Sequence, residues 1–169
     1  MLHMYQGDGK GKTTAAFGLA LRELAYQRNV LIIQFLKNGT SGEMKAIATF
    51  DHVTQYANAR IEKFYFQMND EEKEAFAQDQ QQLWKHFKEE YTSYDYIVLD
   101  EILDVIQLGL LQDDEVVQIL KEASKQKEIV VTGRKGSNNL TELCDYHTEM
   151  LAHKHPYQQG VAARVGVEF

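Results

Sequence analysis

A single cysteine, a single proline and no apolar run of membrane-spanning length set the first limits on this 169-residue chain. Cys144 has no partner within the chain, so no disulfide braces the fold and a reducing compartment is the expected setting. A bilayer span needs ~20 apolar residues, and neither that nor a secretory leader is legible, so the chain reads as cytoplasmic with no membrane partner. The lone Pro156 lies near the end, and no linker, repeat or low-complexity tract interrupts the rest. One domain over residues 1–169 is expected. Basic charge is also in short supply: 18 Lys and Arg stand against 25 Asp and Glu, a formal net charge of −7. Proteins that coat nucleic acid rely on many cationic contacts to phosphate, so a nucleic-acid partner is excluded in favour of a compact ligand. Histidines number six, but His153 and His155 flank the cation Lys154, and His147 and Asp145 complete no zinc spacing. These read as structural or solvent-facing, with ligand contact by His155 left open.

What is present is ordinary globular material, 44% hydrophobic, in a chain long enough to bury about 70% of its unfolded surface. Val30 to Leu36, Tyr96 to Leu99 and Ile129 to Val131 are near-continuous apolar runs, the pattern of strands covered on both faces of a parallel sheet. Helical periodicity lies between them, from Thr13 to about Tyr26, Asp70 to about Tyr91 and Asp113 to about Lys125. The acidic clusters at Asp70 to Glu74 and Asp113 to Glu115 suit helix N-terminal turns, where carboxylates meet the positive end of the dipole. Alternation of this kind predicts an α/β fold with a mostly parallel central sheet, whose ligand lies beyond the carboxyl ends of the strands.

Gly7-Asp8-Gly9-Lys10-Gly11-Lys12-Thr13-Thr14 sits between an apolar start (Leu2, Met4, Tyr5) and an Ala/Leu-rich run. Glycines let backbone N–H groups approach an anion, and the next helix adds its own unpaired donors. Lys12 is placed to reach outer phosphates and Thr13 to offer its hydroxyl to magnesium, as in a Walker A loop. The generic pattern fails by one residue, because Gln6 stands where its first glycine belongs. The plain alternative is a tight strand-to-helix turn.

Asp100-Glu101 closes an apolar run as a Walker B end does, supplying a carboxylate to the same magnesium. Which of the two touches the metal is open, and a solvated strand end is the alternative. Arg134, after Thr132-Gly133, suits a phosphate or a carboxylate, or solvent. Lys37 is a second cation at the ligand-facing edge, or simply exposed. Phe64-Tyr65-Phe66 reads on pattern as a half-buried strand; the other reading is an aromatic platform for a flat ligand.

Taken together, GDGKGKTTAA, VLIIQFLK with Gly42-Glu43, DYIVLDE, VVTGR and KHPYQQGVAARVGVEF occur in order along nearly the whole chain. They resemble the P-loop class of ATP:corrinoid adenosyltransferases, the cob(I)yrinic acid a,c-diamide adenosyltransferase family, whose loop also lacks the first glycine. The resemblance implies a three-layer P-loop NTPase fold of RecA-like type, usually dimeric. It implies transfer of the 5′-deoxyadenosyl group of ATP to the Co(I) of a corrinoid, with triphosphate released and an electron donor such as a flavoprotein reductase as partner. By similarity, ATP is gripped by residues 7–14 with Arg134, magnesium by Thr13 with Asp100 or Glu101, and the catalytic set is Lys12, Thr13 and Glu101. Phe64 and Phe66 would press on the lower corrin face. Relatives often carry a polar segment ahead of the loop that folds over the corrinoid; six residues precede Gly7 here, so a transferase working without that lid is expected. The competing readings are a hydrolysing or kinase-type P-loop enzyme and a non-catalytic nucleotide or corrinoid binder.

Overall fold

The computed structural model describes residues 1–58, 63 and 65–168. Among them, strands β1 (Leu2–Gln6), β2 (Val30–Gln34), β3 (Val53–Ala57), β4 (Tyr96–Asp100), β5 (Glu128–Gly133) and β6 (Tyr146–Glu149) form one sheet in the order β3-β2-β4-β5-β1-β6. Every neighbouring pair is parallel. Helices α1 (Lys12–Leu24), α2 (Gly42–Ile47), α3 (Asp70–Glu90), α4 (Ile102–Gln107), α5 (Asp113–Ala123) and α6 (Asn138–Leu143) cover it.

The period of two along each strand sorts its side chains to opposite faces. Leu31, Ile33, Ile97, Leu99, Ile129 and Val131 enter one core with residues of α3, α4, α5 and α6. Val30, Ile32, Tyr96, Val98 and Val130 enter a second with Ala16, Phe17 and Ala20 of α1 and Met44 and Ile47 of α2. Each such side chain contributes roughly 1.5–3 kcal/mol by leaving water. The result is the expected three-layer α/β fold of RecA-like type, with β5 inserted between the loop-bearing strand β1 and the acid-bearing strand β4.

Helix starts follow local chemistry. Asn69 caps α3 by accepting from Glu72 N at 2.8 Å while Glu72 Oε2 accepts from Asn69 N at 2.9 Å, a reciprocal pair that fixes the first turn. Both acidic clusters fall in first turns, of α3 and of α5, as their positions predicted. The aromatic stretch departs from its strand pattern. Tyr65–Gln67 is a single 3-10 turn closed by Met68 N donating to Tyr65 O at 3.2 Å. The α3 cap follows at once, so the chain turns rather than extends, and Tyr65 packs against Phe76 with ring centroids 5.5 Å apart. Phe64 lies outside the described residues.

Candidate active site

With the whole sheet parallel, all strands end at one edge, and the segments after β1, β2, β4 and β5 converge there. Between β1 and α1, Gly7 and Gly11 take φ values of 116° and 113°, a region that strains any residue with a Cβ. The loop is also tightly covered: a Cβ on Gly7 would fall 2.3 Å from the Met150 carbonyl oxygen, and on Gly9 2.6 Å. Gly9 N–H donates to that oxygen at 2.7 Å and Gly7 N–H to Arg134 O at 2.9 Å. Gln6 Oε1 accepts from Gly136 N at 2.8 Å, so the residue that breaks the generic pattern ties β1 to the turn after β5.

Gly11 caps α1 with no side-chain hydrogen bond, leaving the first N–H groups and their partial positive charge for another acceptor. Residues 9–14 line a pocket of about 320 Å³ there. Lys12 Nζ donates to Gly7 O at 2.6 Å and Gly9 O at 3.0 Å, folded back on its own loop. Thr14 Oγ1 donates to Glu43 Oε1 at 2.9 Å, joining the loop to α2.

Asp100 is the hub. Its Oδ1 accepts from Thr13 Oγ1 at 2.9 Å and Thr132 Oγ1 at 2.7 Å; its Oδ2 accepts from Gln34 Nε2 at 2.9 Å and Lys37 Nζ at 2.8 Å. Burial pushes its pKa upward, but the Lys37 charge and these hydrogen bonds outweigh that and hold the carboxyl below its usual range. Glu101 moves the other way: burial, reinforced by the Asp100 charge, lifts its carboxyl above the usual range despite Lys37 at 3.1 Å. Glu101 also has φ 65°, a left-handed conformation of order 1 kcal/mol in cost, held by its N–H donating to Thr132 Oγ1 at 2.9 Å. Leu36, after β2, has φ 54° and its N–H donates to buried Gln80 at 3.0 Å. Two strained residues thus flank the strand ends.

Thr13, Asp100 and Glu101 are hard oxygen donors, the chemistry magnesium selects. Lys37 Nζ already lies 3.1, 2.8 and 3.1 Å from one oxygen of each, which shows that the three surround a single cation position. Among the described residues no group of three or more His, Cys, Asp and Glu converges. Two carboxylates and a hydroxyl fit magnesium, which commonly completes its shell with phosphate and water.

A second cleft, of about 1020 Å³, shares Lys12, Lys37 and Glu101 with the first pocket as a common wall. Gly7, Asp8 and Arg134 border this larger cleft, and Phe66, 79% exposed, forms part of it. Arg134 N donates to Asp104 Oδ2 at 2.8 Å, while its Nε stands 4.0 Å from Oδ1. The sequence grouped Arg134 with the nucleotide; the structure places it on the wall of the larger cleft. Elsewhere, burial and the Asp145 charge push the Cys144 thiol up to about 11, which leaves it a poor nucleophile. His155 Nδ1 accepts from Tyr157 N at 3.2 Å, opening a short 3-10 turn.

Sequence reading assigned no role to four contributors. Gln34 and Thr132 support Asp100 from β2 and β5, and nothing local marks either as part of a site. Val167 and Glu168, near the chain end, border the smaller pocket, with Glu168 paired to Arg164 at 2.9 Å. Their signal was the C-terminal block of the family resemblance.

Comparison with known proteins follows the same lines. The family described as ATP:corrinoid adenosyltransferase BtuR/CobO/CobP matches residues 1–169. The corrinoid adenosyltransferase of Escherichia coli strain K12 is 31% identical over 98% of this chain and 84% of its own length. The corrinoid adenosyltransferase CobA of Salmonella typhimurium is 29% identical with the same coverage. That of Sinorhizobium sp. is 34% identical over 96% of this chain and 77% of its own.

Proposed function

The chain belongs to the ATP:corrinoid adenosyltransferase family, and from that premise we propose how its residues divide the work. The reaction moves the 5′-deoxyadenosyl group of ATP to the cobalt of a reduced corrinoid and releases triphosphate. The whole chain acts as one nucleotide-binding and transferase domain. Gly9, Gly11, the first N–H groups of α1 and Lys12 hold the triphosphate, Lys12 exchanging the Gly7 and Gly9 carbonyls for phosphate oxygens. Thr13, Asp100 and Glu101 would hold magnesium, which when bound neutralises charge growing on the departing triphosphate. Asp100 accepts four hydrogen bonds, from Thr13, Thr132, Gln34 and Lys37, so its carboxylate is held in place beside the Thr13 hydroxyl, while Glu101 is held there by Lys37.

The nucleophile is the substrate's own cobalt, so the protein needs no serine, cysteine or histidine in that role. Its residues bind, orient and exclude water. Phe66, with Phe64, supplies aromatic surface against the corrin face, and Arg134 and Asp104 offer polar contacts to its periphery. The working form is a cytoplasmic homodimer that receives electrons from a flavoprotein reductase.

The carrying observation is the shared wall: Lys12, Lys37 and Glu101 separate a phosphate-sized pocket from a cleft of macrocycle size. ATP seated with its phosphates in the first therefore presents its ribose 5′ carbon toward the second. A crystal structure with magnesium-ATP tests this. The 5′ carbon is expected at the cleft; a terminal phosphorus there instead contradicts the proposal and favours hydrolysis.

A further inference from the structure

Lys37 leaves the end of β2 and reaches oxygens from three separate elements: the Thr13 hydroxyl of α1 at 3.1 Å, Asp100 Oδ2 of β4 at 2.8 Å and Glu101 Oε1 at 3.1 Å. These are the oxygens assigned above to magnesium. Asp100 is fully buried and Glu101 mostly so, and Lys37 is the cation that meets both charges. Its side chain is flexible and about one-third exposed, and it borders the pocket assigned to the triphosphate.

We propose that Lys37 is a placeholder cation, filling the oxygen cage until a triphosphate arrives, so that divalent metal is admitted only together with nucleotide. The proposal rests on the magnesium site described above and adds an order of events to it. A divalent ion entering the cage must displace the ammonium from all three oxygens, and in a partly buried site the two cations repel with little screening. Without an anion, the displaced ammonium gives up its pairs with the two carboxylates, one of them fully buried. With the triphosphate in place, Lys37 moves a short distance onto phosphate oxygens, and both cations are then neutralised.

Manganese(II) serves as the probe, its binding to the full-length chain followed by electron paramagnetic resonance without nucleotide and with ATP but no corrinoid. Without ATP the wild type is expected to bind weakly, and Lys37→Gln at least about tenfold more tightly. Lys37→Arg keeps the charge and should remain as weak as wild type. Tighter metal binding is a gain that a damaged fold does not produce, so the result separates a placeholder from a structural ion pair. The proposal is overturned if wild type without nucleotide binds manganese with Kd below about 100 μM, a result needing no variant, or if Lys37→Gln stays within about twofold of it. Failure of wild type to bind manganese even with ATP removes the metal site itself, and the placeholder with it.

Discussion

Lys12 folds its ammonium onto the Gly7 and Gly9 carbonyls, the contacts it is proposed to exchange for phosphate oxygens. Its charge has no substitute in the loop at the same place, so Lys12→Ala should lower the rate of adenosyl transfer by at least about 100-fold, the scale of losing one main charge-stabilising donor. Formation of the light-sensitive adenosylated corrinoid measures it, and unchanged turnover would remove the loop from the chemistry. Glu101 carries a different signature. Its carboxyl is lifted by burial and by Asp100, so the anionic form costs the folded state stability at neutral pH. That cost is fully present above the raised folded pKa and fades as pH falls through it toward the ordinary value near ~4.3. Glu101→Gln should therefore raise the thermal midpoint at neutral pH, with the gain shrinking in acid, while slowing transfer. A lower midpoint at neutral pH would contradict the assignment. At this scale the sequence marked contiguous segments, residues 7–14 and Asp100-Glu101, which the fold brings together through the Thr13–Asp100 hydrogen bond. Gln34, Lys37 and Thr132 reach Asp100 from 66, 63 and 32 residues away, and no local pattern announces contacts of that span.

Loops and strands show the same division. The turn between β1 and α1 needs glycine at position 7 twice over, for a positive φ and for the 2.3 Å approach of Met150 O to any Cβ. Gly7→Ala should destabilise the protein by about 1–3 kcal/mol or more through strain and overpacking, read as a lower urea midpoint at unchanged slope. An unchanged midpoint would mean that the Met150 segment yields freely. The central strands β2, β4 and β5 were legible because both faces are buried and the sequence becomes an apolar run. Strands β3 and β6 were not, since they are the sheet's edges: Tyr146–Glu149 is exposed throughout, and its Tyr-His-Thr-Glu sequence carries no core signal. The 3-10 turn at Tyr65–Gln67 was hidden for another reason, because the Asn69 capping box just downstream outweighed an alternation that resembles a strand.

On the scale of the whole molecule, the alternation of apolar runs with amphipathic segments was enough for a two-faced α/β sheet, and the two cores divide along it. The strand order could not be read, because it is set by which crossover covers which face rather than by any single segment. That order matters to the site: placing β5 between β1 and β4 lets Thr132 bridge to the acid of β4 while Thr13 approaches the same oxygen from the first turn of α1. It also leaves the small pocket and the large cleft on either side of Lys12, Lys37 and Glu101. Under the proposed function the two pockets would have separate duties, the smaller holding the leaving triphosphate and the larger the metal-centred macrocycle. Incubation with magnesium-ATP and a reduced cobalamin, followed by analysis of the phosphate products, tests this most directly. Intact triphosphate in equal amount to adenosylated corrinoid is the predicted result; ADP and phosphate released without any need for corrinoid would contradict it.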